Sequence, residues 1–195
     1  MNYIIQTITL KQTTEIYNAY IHLHFPQNEI KPLKNIQRMW ENGYYQALAM
    51  YEQKENETKL IGYAFCAMAP NCRMLLLDYL AIVEEYRGLG MGGIFLSEMR
   101  KCLTKYEGIL IETEDIDFAA NEEERQIRKK RDAFYEHNGV VRTGIKSTIY
   151  GVHFANWQLP VSGALSDEEC KRNLEEIYKV MVPGTKNQMF VKIEL

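Results

Sequence analysis

Apolar and polar positions along the chain predict an ordered series of strands and helices. YIIQTIT (3–9) is rich in β-branched residues and predicts a first strand. After Thr13 and Thr14, read as caps, Ile16, Tyr17, Tyr20 and Ile21 fall on one helix face. A shorter helix is expected around 33–41. YYQALAMY (44–51) and KLIGYAFCAM (59–68) predict two strands joined by the polar turn QKENET (53–58). The second is apolar almost throughout, as befits a central strand covered on both faces. RMLLLDYLAIV (73–83) predicts another buried strand, which leads into the glycine-rich run YRGLGMGG (86–93). A helix follows, with Ile94, Phe95, Met99, Cys102 and Leu103 on one side. GILIETED (108–115) is a short buried strand that ends in carboxylates.

Asn121, with Glu124 three residues on, has the form of a capping box for a helix reaching about His137. Segments from 140 to 161 predict further strands. Ser166 and Glu169 form a second box, and Cys170, Leu174, Ile177, Tyr178 and Met181 then mark one face of a helix stopped by Pro183 and Gly184. FVKIEL closes the chain as an edge strand. With no convincing linker, 1–195 reads as a single domain carrying a helix–strand extension at about 165–195. The order of elements gives an α+β class with a mixed sheet.

Composition narrows the function classes. Apolar residues make up 46% of the 195 and charged residues 25%, so a core is available without metals or disulfides. A net charge of −3 is too mild to make nucleic acid or an anionic membrane the main partner. The opening MNYIIQTITL lacks the basic start and cleavage site of a secretory signal. No apolar stretch approaches the roughly 18 residues of a membrane span. Cys66, Cys72, Cys102 and Cys170 show no paired zinc spacing, and a reducing, cytoplasmic location is expected. His22 and His24 point to different sides of a helix, His137 and His153 have no visible partners, and no metal is expected.

The glycine run is where chemistry first shows. A strand running into glycines and then a helix offers free backbone N–H groups and the positive end of a helix dipole, a setting that suits pyrophosphate. Gly88, Gly90, Gly92 and Gly93 remove side chains that would block an anion, and Arg87 adds a charge-assisted contact. Gly88, Gly90 and Gly93 match GxGxxG, with Glu112 about twenty residues on as a ribose acid, which would indicate a nicotinamide-dependent oxidoreductase. However, Glu84, Glu85, Tyr86 and Arg87 intervene between strand and first glycine, and some 80 residues that do not read as strand–helix–strand precede the unit. An ordinary glycine-rich turn is the plainest alternative.

Read as Arg-x-x-Gly-x-Gly (Arg87, Gly90, Gly92), the segment resembles the coenzyme A motif of the GNAT-type N-acetyltransferase superfamily. Leu80-Ala81-Ile82 stands for the family's strand, VEEY for the short connection, and RGLGMGG for the loop at the helix head. A second family feature is a Phe–Tyr pair at a helix end before a glycine, here RDAFYEHNGV (131–140). The two motifs stand in the family's order and cover roughly residues 60–150. Glu84 occupies a position where proline is common, and Val140 one where phenylalanine usually follows the glycine. The tail beyond about 165 is outside the common core.

The resemblance implies an acyl-CoA N-acyltransferase fold: a mixed, largely antiparallel sheet of six to seven strands flanked by helices. It implies acetyl-CoA as co-substrate and direct transfer to an amine. Leu80 and Ile82 would bond the pantetheine arm through their backbone, and Arg87, Gly88, Leu89, Gly90, Met91 and Gly92 would cradle the pyrophosphate. A backbone N–H near Ile82 would serve the oxyanion, and Tyr135 would protonate the departing thiolate. Glu112 and Glu114 share one strand face and, with Asp115 and Asp117, form an acidic patch that suits a cationic amine and supplies base candidates. Asp78 interrupts an apolar run, so it is either paired and buried or open to a cleft, and the strand face it shares with Leu80 and Ile82 favours the cleft; it is a second base candidate, and Glu84 a third. The basic stretch RQIRKKR (125–131) is either a solvated helix face or a contact for the coenzyme's terminal phosphate. The acceptor is expected to be a small cationic amine or a peptide amine. A non-catalytic acyl-CoA-binding module would share the loop. The tail helix would cover the sheet or meet a partner, for instance in a homodimer.

Overall fold

Alternating or wholly apolar stretches build eight strands, and six α-helices join them, among the residues that the computed structural model describes: 2–54, 57–184 and 189–195. In chain order these are β1 (Tyr3–Ile8), α1 (Leu10–Ile16), α2 (His22–His24), α3 (Leu33–Glu41), β2 (Tyr45–Lys54), β3 (Glu57–Ala67) and β4 (Met74–Ile82). There follow α4 (Met91–Cys102), β5 (Gly108–Glu114), α5 (Glu122–His137), β6 (Val141–Ile149), β7 (Val152–Pro160), α6 (Asp167–Met181) and β8 (Val191–Glu194). The strand order is β1-β2-β3-β4-β5-β7-β6-β8. β4 and β5 pair in parallel, while β1–β2, β2–β3, β5–β7, β6–β7 and β6–β8 are antiparallel. The α+β class and the largely antiparallel sheet follow the expectation, with eight strands in place of six to seven. This topology is not the doubly wound parallel sheet that the GxGxxG reading requires.

The chain forms two compact units, and β4 and α4 each contribute residues to both. The first comprises residues up to Ala67 together with Asp78–Glu98. Its first helix starts earlier than Thr13 and Thr14 suggest. Thr9 caps it, accepting from the Gln12 N–H at 3.3 Å while the Gln12 side chain accepts from the Thr9 N–H at 2.9 Å. Thr13 is instead buried inside the helix, its hydroxyl bonded back to the Thr9 carbonyl. The helix widens to a π-turn over Tyr17–Ile21, which keeps Tyr17 and Ile21 on the buried side. The core gathers Ile21, Ile36, Met39, Leu48, Tyr63 and Phe65. Part of the turn expected at 53–58, residues 55–56, lies outside the described residues.

The second unit comprises Met68–Leu77 and Met99–Leu195. Leu75, Leu110, Ile145, Trp157, Leu174 and Ile177 are buried in it. The Ser166–Glu169 capping box is complete. At the start of α5, Asn121 accepts from the Glu124 N–H, but the Glu124 carboxylate reaches the Ala120 N–H, one residue before the expected partner. Cys102, expected on the apolar side of α4, is exposed, because the helix ends there and Leu103 takes the inward position. β8 pairs only with β6 among the described strands and closes the sheet as the expected edge.

Candidate active site

The β4–α4 segment builds the first part of the site from backbone. The parallel ladder between β4 and β5 runs from Met74 opposite Gly108 to Leu77 opposite Ile111, whereas β4 itself continues to Ile82. Past β4, the Val83 N–H donates to the Ile61 carbonyl on β3 at 2.9 Å. Backbone groups of successive strand residues point to opposite sides, so those of Leu80 and Ile82 face away from β3. Burial alternates likewise, with Tyr79 and Ala81 buried and Leu80 and Ile82 partly open. Gly62 on β3 is needed for this packing, since a Cβ there would stand 2.7 Å from the Ala81 carbonyl oxygen.

A 3-10 turn over Glu84–Tyr86 then brings the chain round, and Arg87 Nε donates to the Ile82 carbonyl at 3.0 Å. Gly88 and Gly90 have φ of +75° and +76°, values that side-chain-bearing residues rarely adopt. Nothing lies within 4 Å of a Cβ built on either, so the loop surface there is open. The Ile94 N–H makes its helical bond to the Gly90 carbonyl, and the N–H groups of Met91, Gly92 and Gly93, which precede it, have no partner within the helix. Met91 is buried and anchors the turn, while Arg87, Gly88, Leu89 and Gly90 are exposed. The cradle therefore fits an anion on local grounds: open backbone donors, a helix dipole and one guanidinium.

Beside this loop lies a cavity of about 520 Å³, lined by Tyr20, Leu23, His24, Val83, Glu84, Glu85 and Arg87. His24 stacks between Tyr20 and Tyr63, with centroids 5.9 and 5.7 Å away, and its Nδ1 meets the Tyr63 hydroxyl at 3.0 Å. Burial lowers the imidazole pKa and the Arg87 charge lowers it further, with Glu84 opposing. The sequence singles out the His22–His24 spacing, but the partner ring of Tyr63 is 39 residues away and leaves no local trace.

Asp78 does not open to a cleft as its strand face suggests; its side chain is buried and paired. Its side chain is 3% exposed; Lys31 Nζ lies 2.6 Å from Oδ1, and the Tyr45 hydroxyl donates to Oδ2 at 2.6 Å. Tyr79 fastens the same segment, donating to the Glu29 carbonyl and accepting from the Lys31 N–H, and the Tyr17 hydroxyl donates to the Lys31 carbonyl. The 29–31 segment is thus tied to the strand on which Asp78 sits.

The second unit carries the remaining candidates. Glu112 accepts from the Ser147 hydroxyl at 2.6 Å and from the Tyr178 hydroxyl at 2.5 Å. Glu114 is ion-paired to Arg128 at 3.1 Å and Arg131 at 3.6 Å. Asp115 is buried against Lys146 at 2.6 Å, and Asp117 lies 3.8 Å from Arg125. Burial pushes the Asp115 carboxyl up, but bonds from Lys146 and the Asp117 N–H outweigh it and hold its pKa below the ordinary range. The acidic run is therefore charge-compensated, chiefly by the basic stretch 125–131 and Lys146, and is not an open anionic patch. Arg128, inside that stretch, is buried and also meets Glu124 at 2.6 Å. Tyr135 sits near the end of α5, buried and edge-on to Phe134. Burial pushes its phenol up to about 12, against a lowering effect from Arg131. The glutamates thus stand with hydroxyl or cationic partners, and Tyr135 does not bond to either of them among the described residues.

No protein-family model matches the chain, and no curated protein sequence matches it. Solved structures do resemble it. A GNAT-family protein from Bacteroides thetaiotaomicron superposes with a TM-score of 0.70 at 17% identity, over 93% of this chain and 99% of that one. A spermidine N-acetyltransferase chimera from Vibrio cholerae and hSSAT gives 0.56 at 13% identity, over 83% and 97%. A chain of the NatC complex bound to Gag peptide and CoA gives 0.56 at 18% identity, over 82% and 99%. With strand order, loop and superpositions in agreement, the chain has the fold of the GNAT acetyltransferases.

Proposed function

We propose that this protein is an N-acetyltransferase that moves an acetyl group from acetyl-CoA directly to an amine. The observation that carries the reading is the run from Arg87 to Gly92, which sets helix-start backbone donors and a guanidinium at the head of α4, one short turn after a strand whose β5 ladder ends at Leu77. Arg87, Gly88, Leu89, Gly90, Met91 and Gly92 hold the pyrophosphate, and the backbone of Leu80 and Ile82 bonds the pantetheine amides in the manner of an added strand. Bound acetyl-CoA supplies the activated acyl group as a thioester.

The chain's own residues then handle protons and charge. A backbone N–H at or near Ile82 donates to the oxygen on which negative charge develops. Glu112 takes the proton from the amine. Its hydroxyl partners, Ser147 and Tyr178, hold it in a fixed orientation. Glu114 and Asp78 stand in ion pairs with Arg128 and Lys31, which suits them to holding elements in place. Tyr135 gives its proton to the departing sulfur, and its phenol, pushed to about 12, retains that proton at neutral pH. The acceptor is a small amine or a peptide amine; compensation of the acidic run removes the argument for a strongly cationic one. Spermidine and peptide both occur in the names of the similar structures.

Thermal shift tests the reading. A ligand that binds only the folded chain at a hundredfold excess over its Kd adds about 2.7 kcal/mol. For 195 residues that is a rise of about 6–7 °C. Acetyl-CoA should give this rise and NADH none, and Gly90→Glu, which fills the cradle with an anion, should abolish it. Stabilisation by NADH alone, or an undiminished shift in the variant, would refute the assignment of the loop.

A further inference from the structure

The C-terminal extension, outside the common core of the fold the sequence resembles, reaches one of the proposed reacting groups. Glu112 is the first β5 residue past the β4 ladder. Its carboxylate is held by one hydroxyl from β6, Ser147, and one from α6, Tyr178. Ser147 in turn accepts from Asn156 Nδ2 at 3.0 Å, and Asn156, Ser147 and Tyr178 are all buried. A carboxylate gripped at both oxygens by buried side chains is held in rotation as well as position.

Tyr178 is itself rigidly delivered. The Ser166–Glu169 box sets where α6 begins, and Cys170, Leu174, Ile177 and Met181 bury its apolar face. Midway along the helix, Asn173 Oδ1 accepts from the N–H groups of Arg73 and Met74 at 2.8 and 3.2 Å, and its Nδ2 donates to the Glu169 carbonyl. Arg73 adds ion pairs to Glu107 at 3.0 Å and Glu169 at 2.5 Å. The helix is thus pinned to the start of β4, one turn and a half before the residue that meets Glu112.

We propose that Tyr178 is a positioning residue for Glu112, through which the C-terminal helix acts on the proposed base. This rests on the acetyltransferase reading with Glu112 as the base. Donation by the phenol stabilises the ionised carboxylate and aims the oxygen that receives the amine proton. Removing the donor should leave binding of the acyl donor intact, weaken orientation, and favour the protonated acid.

The test uses the full chain with acetyl-CoA and either spermidine or a peptide with a free amino terminus, following thiol release. Tyr178→Phe should lower kcat on the order of tenfold, a fraction of the full contribution of a general base. KM for acetyl-CoA should stay unchanged, and the acid limb of the kcat–pH profile should move to higher pH. Ser147→Ala should shift it in the same direction. A second readout needs no turnover: in protein carrying carbon-13 glutamate carboxyls, the Glu112 signal, identified by its loss in Glu112→Gln, should titrate at higher pH in Tyr178→Phe. The proposal falls if Tyr178→Phe keeps the parent kcat and pH profile, if the Glu112 titration does not move, or if Glu112→Gln turns over at the parent rate. A parent protein that acetylates neither amine defeats the acetyltransferase reading and this role with it. An active parent matched by Tyr178→Phe defeats this role alone.

Discussion

Lys31→Met measures how far Asp78 depends on its ion pair. The substitution keeps most of the side-chain length and removes the ammonium that lies 2.6 Å from Oδ1 of a carboxylate whose side chain is 3% exposed. The Tyr45 hydroxyl remains as a donor. Removing one partner of a buried pair costs about 3–5 kcal/mol, because the remaining charge is left uncompensated. An exposed pair is worth only about 0–1 kcal/mol. The Lys31 side chain is 34% exposed, so water takes up part of the ammonium's role, and the cost should lie between these limits, at about 2–3 kcal/mol. With an unfolding entropy of about 2.1 cal/mol/K per residue, 195 residues give about 0.4 kcal/mol/K, and Tm should fall by about 5–7 °C. A circular-dichroism melt reads this directly. Asp78→Asn, which leaves Lys31 free to hydrate, should cost less, about 1 kcal/mol. In the double variant the two losses should fail to add by about 1–2 kcal/mol, the signature of a coupled pair. A Lys31→Met protein melting within about 1 °C of the parent, or strictly additive losses, would show that the ion pair is not what accommodates Asp78 in the core.

Other consequences follow from the second unit. Tyr135→Phe should reduce kcat on the order of tenfold with little change in KM, since a thiolate with an ordinary thiol pKa already leaves readily. Because burial raises the Tyr135 phenol to about 12, its proton stays on as pH rises through the ordinary tyrosine range. The parent kcat profile should therefore show no alkaline loss from this group below about pH 11, and a limb near pH 10 that vanishes in Tyr135→Phe would contradict it. Thr113→Val keeps the shape of a buried side chain but removes the acceptor for Trp157 Nε1 at 2.9 Å and the donor to Asp132 at 3.0 Å. Two buried polar groups then lack that partner, and a loss of about 2–3 kcal/mol, read as a drop in Tm of about 5–7 °C, is expected; an unchanged melt would refute the role of this network.

Much of this architecture is legible in local pattern. β3 and β4 are apolar on both faces and are central strands, and the glycine run sits at a strand–helix junction because positive φ at Gly88 and Gly90 has a compositional signature. The Ser166–Glu169 box and the apolar face of α6 are likewise written in consecutive residues. The true cap of α1 carries the same kind of signal, Thr9 with Gln12 three residues on, and is obscured only by the two threonines that follow it. What local pattern does not carry is pairing at long range. Asp78 with Lys31 spans 47 residues, and Glu112 with Tyr178 spans 66. Periodicity says that such residues share a face with others on their own element, and nothing about which side chain arrives from elsewhere.

Charge runs show the same limit most sharply. Read separately, 112–117 is an acidic patch and 125–131 a basic one, and each alone suggests a ligand of opposite sign. In the structure Arg125, Arg128 and Arg131 recur at intervals of three on α5; Arg125 meets Asp117, Arg128 and Arg131 both meet Glu114, and Arg128 also donates to the Asp115 main-chain carbonyl, so the two runs partly satisfy each other. An Arg at 128 that is 6% exposed has to be paired, since desolvating a guanidinium without partners costs several kcal/mol. Burial and spacing together would distinguish this compensation from an open patch, and only spacing is available in sequence. The consequence reaches the proposed function: the acidic run carries no argument for a cationic acceptor, and on that reading specificity for the amine must come from groups whose lone pairs or donors are left over after folding.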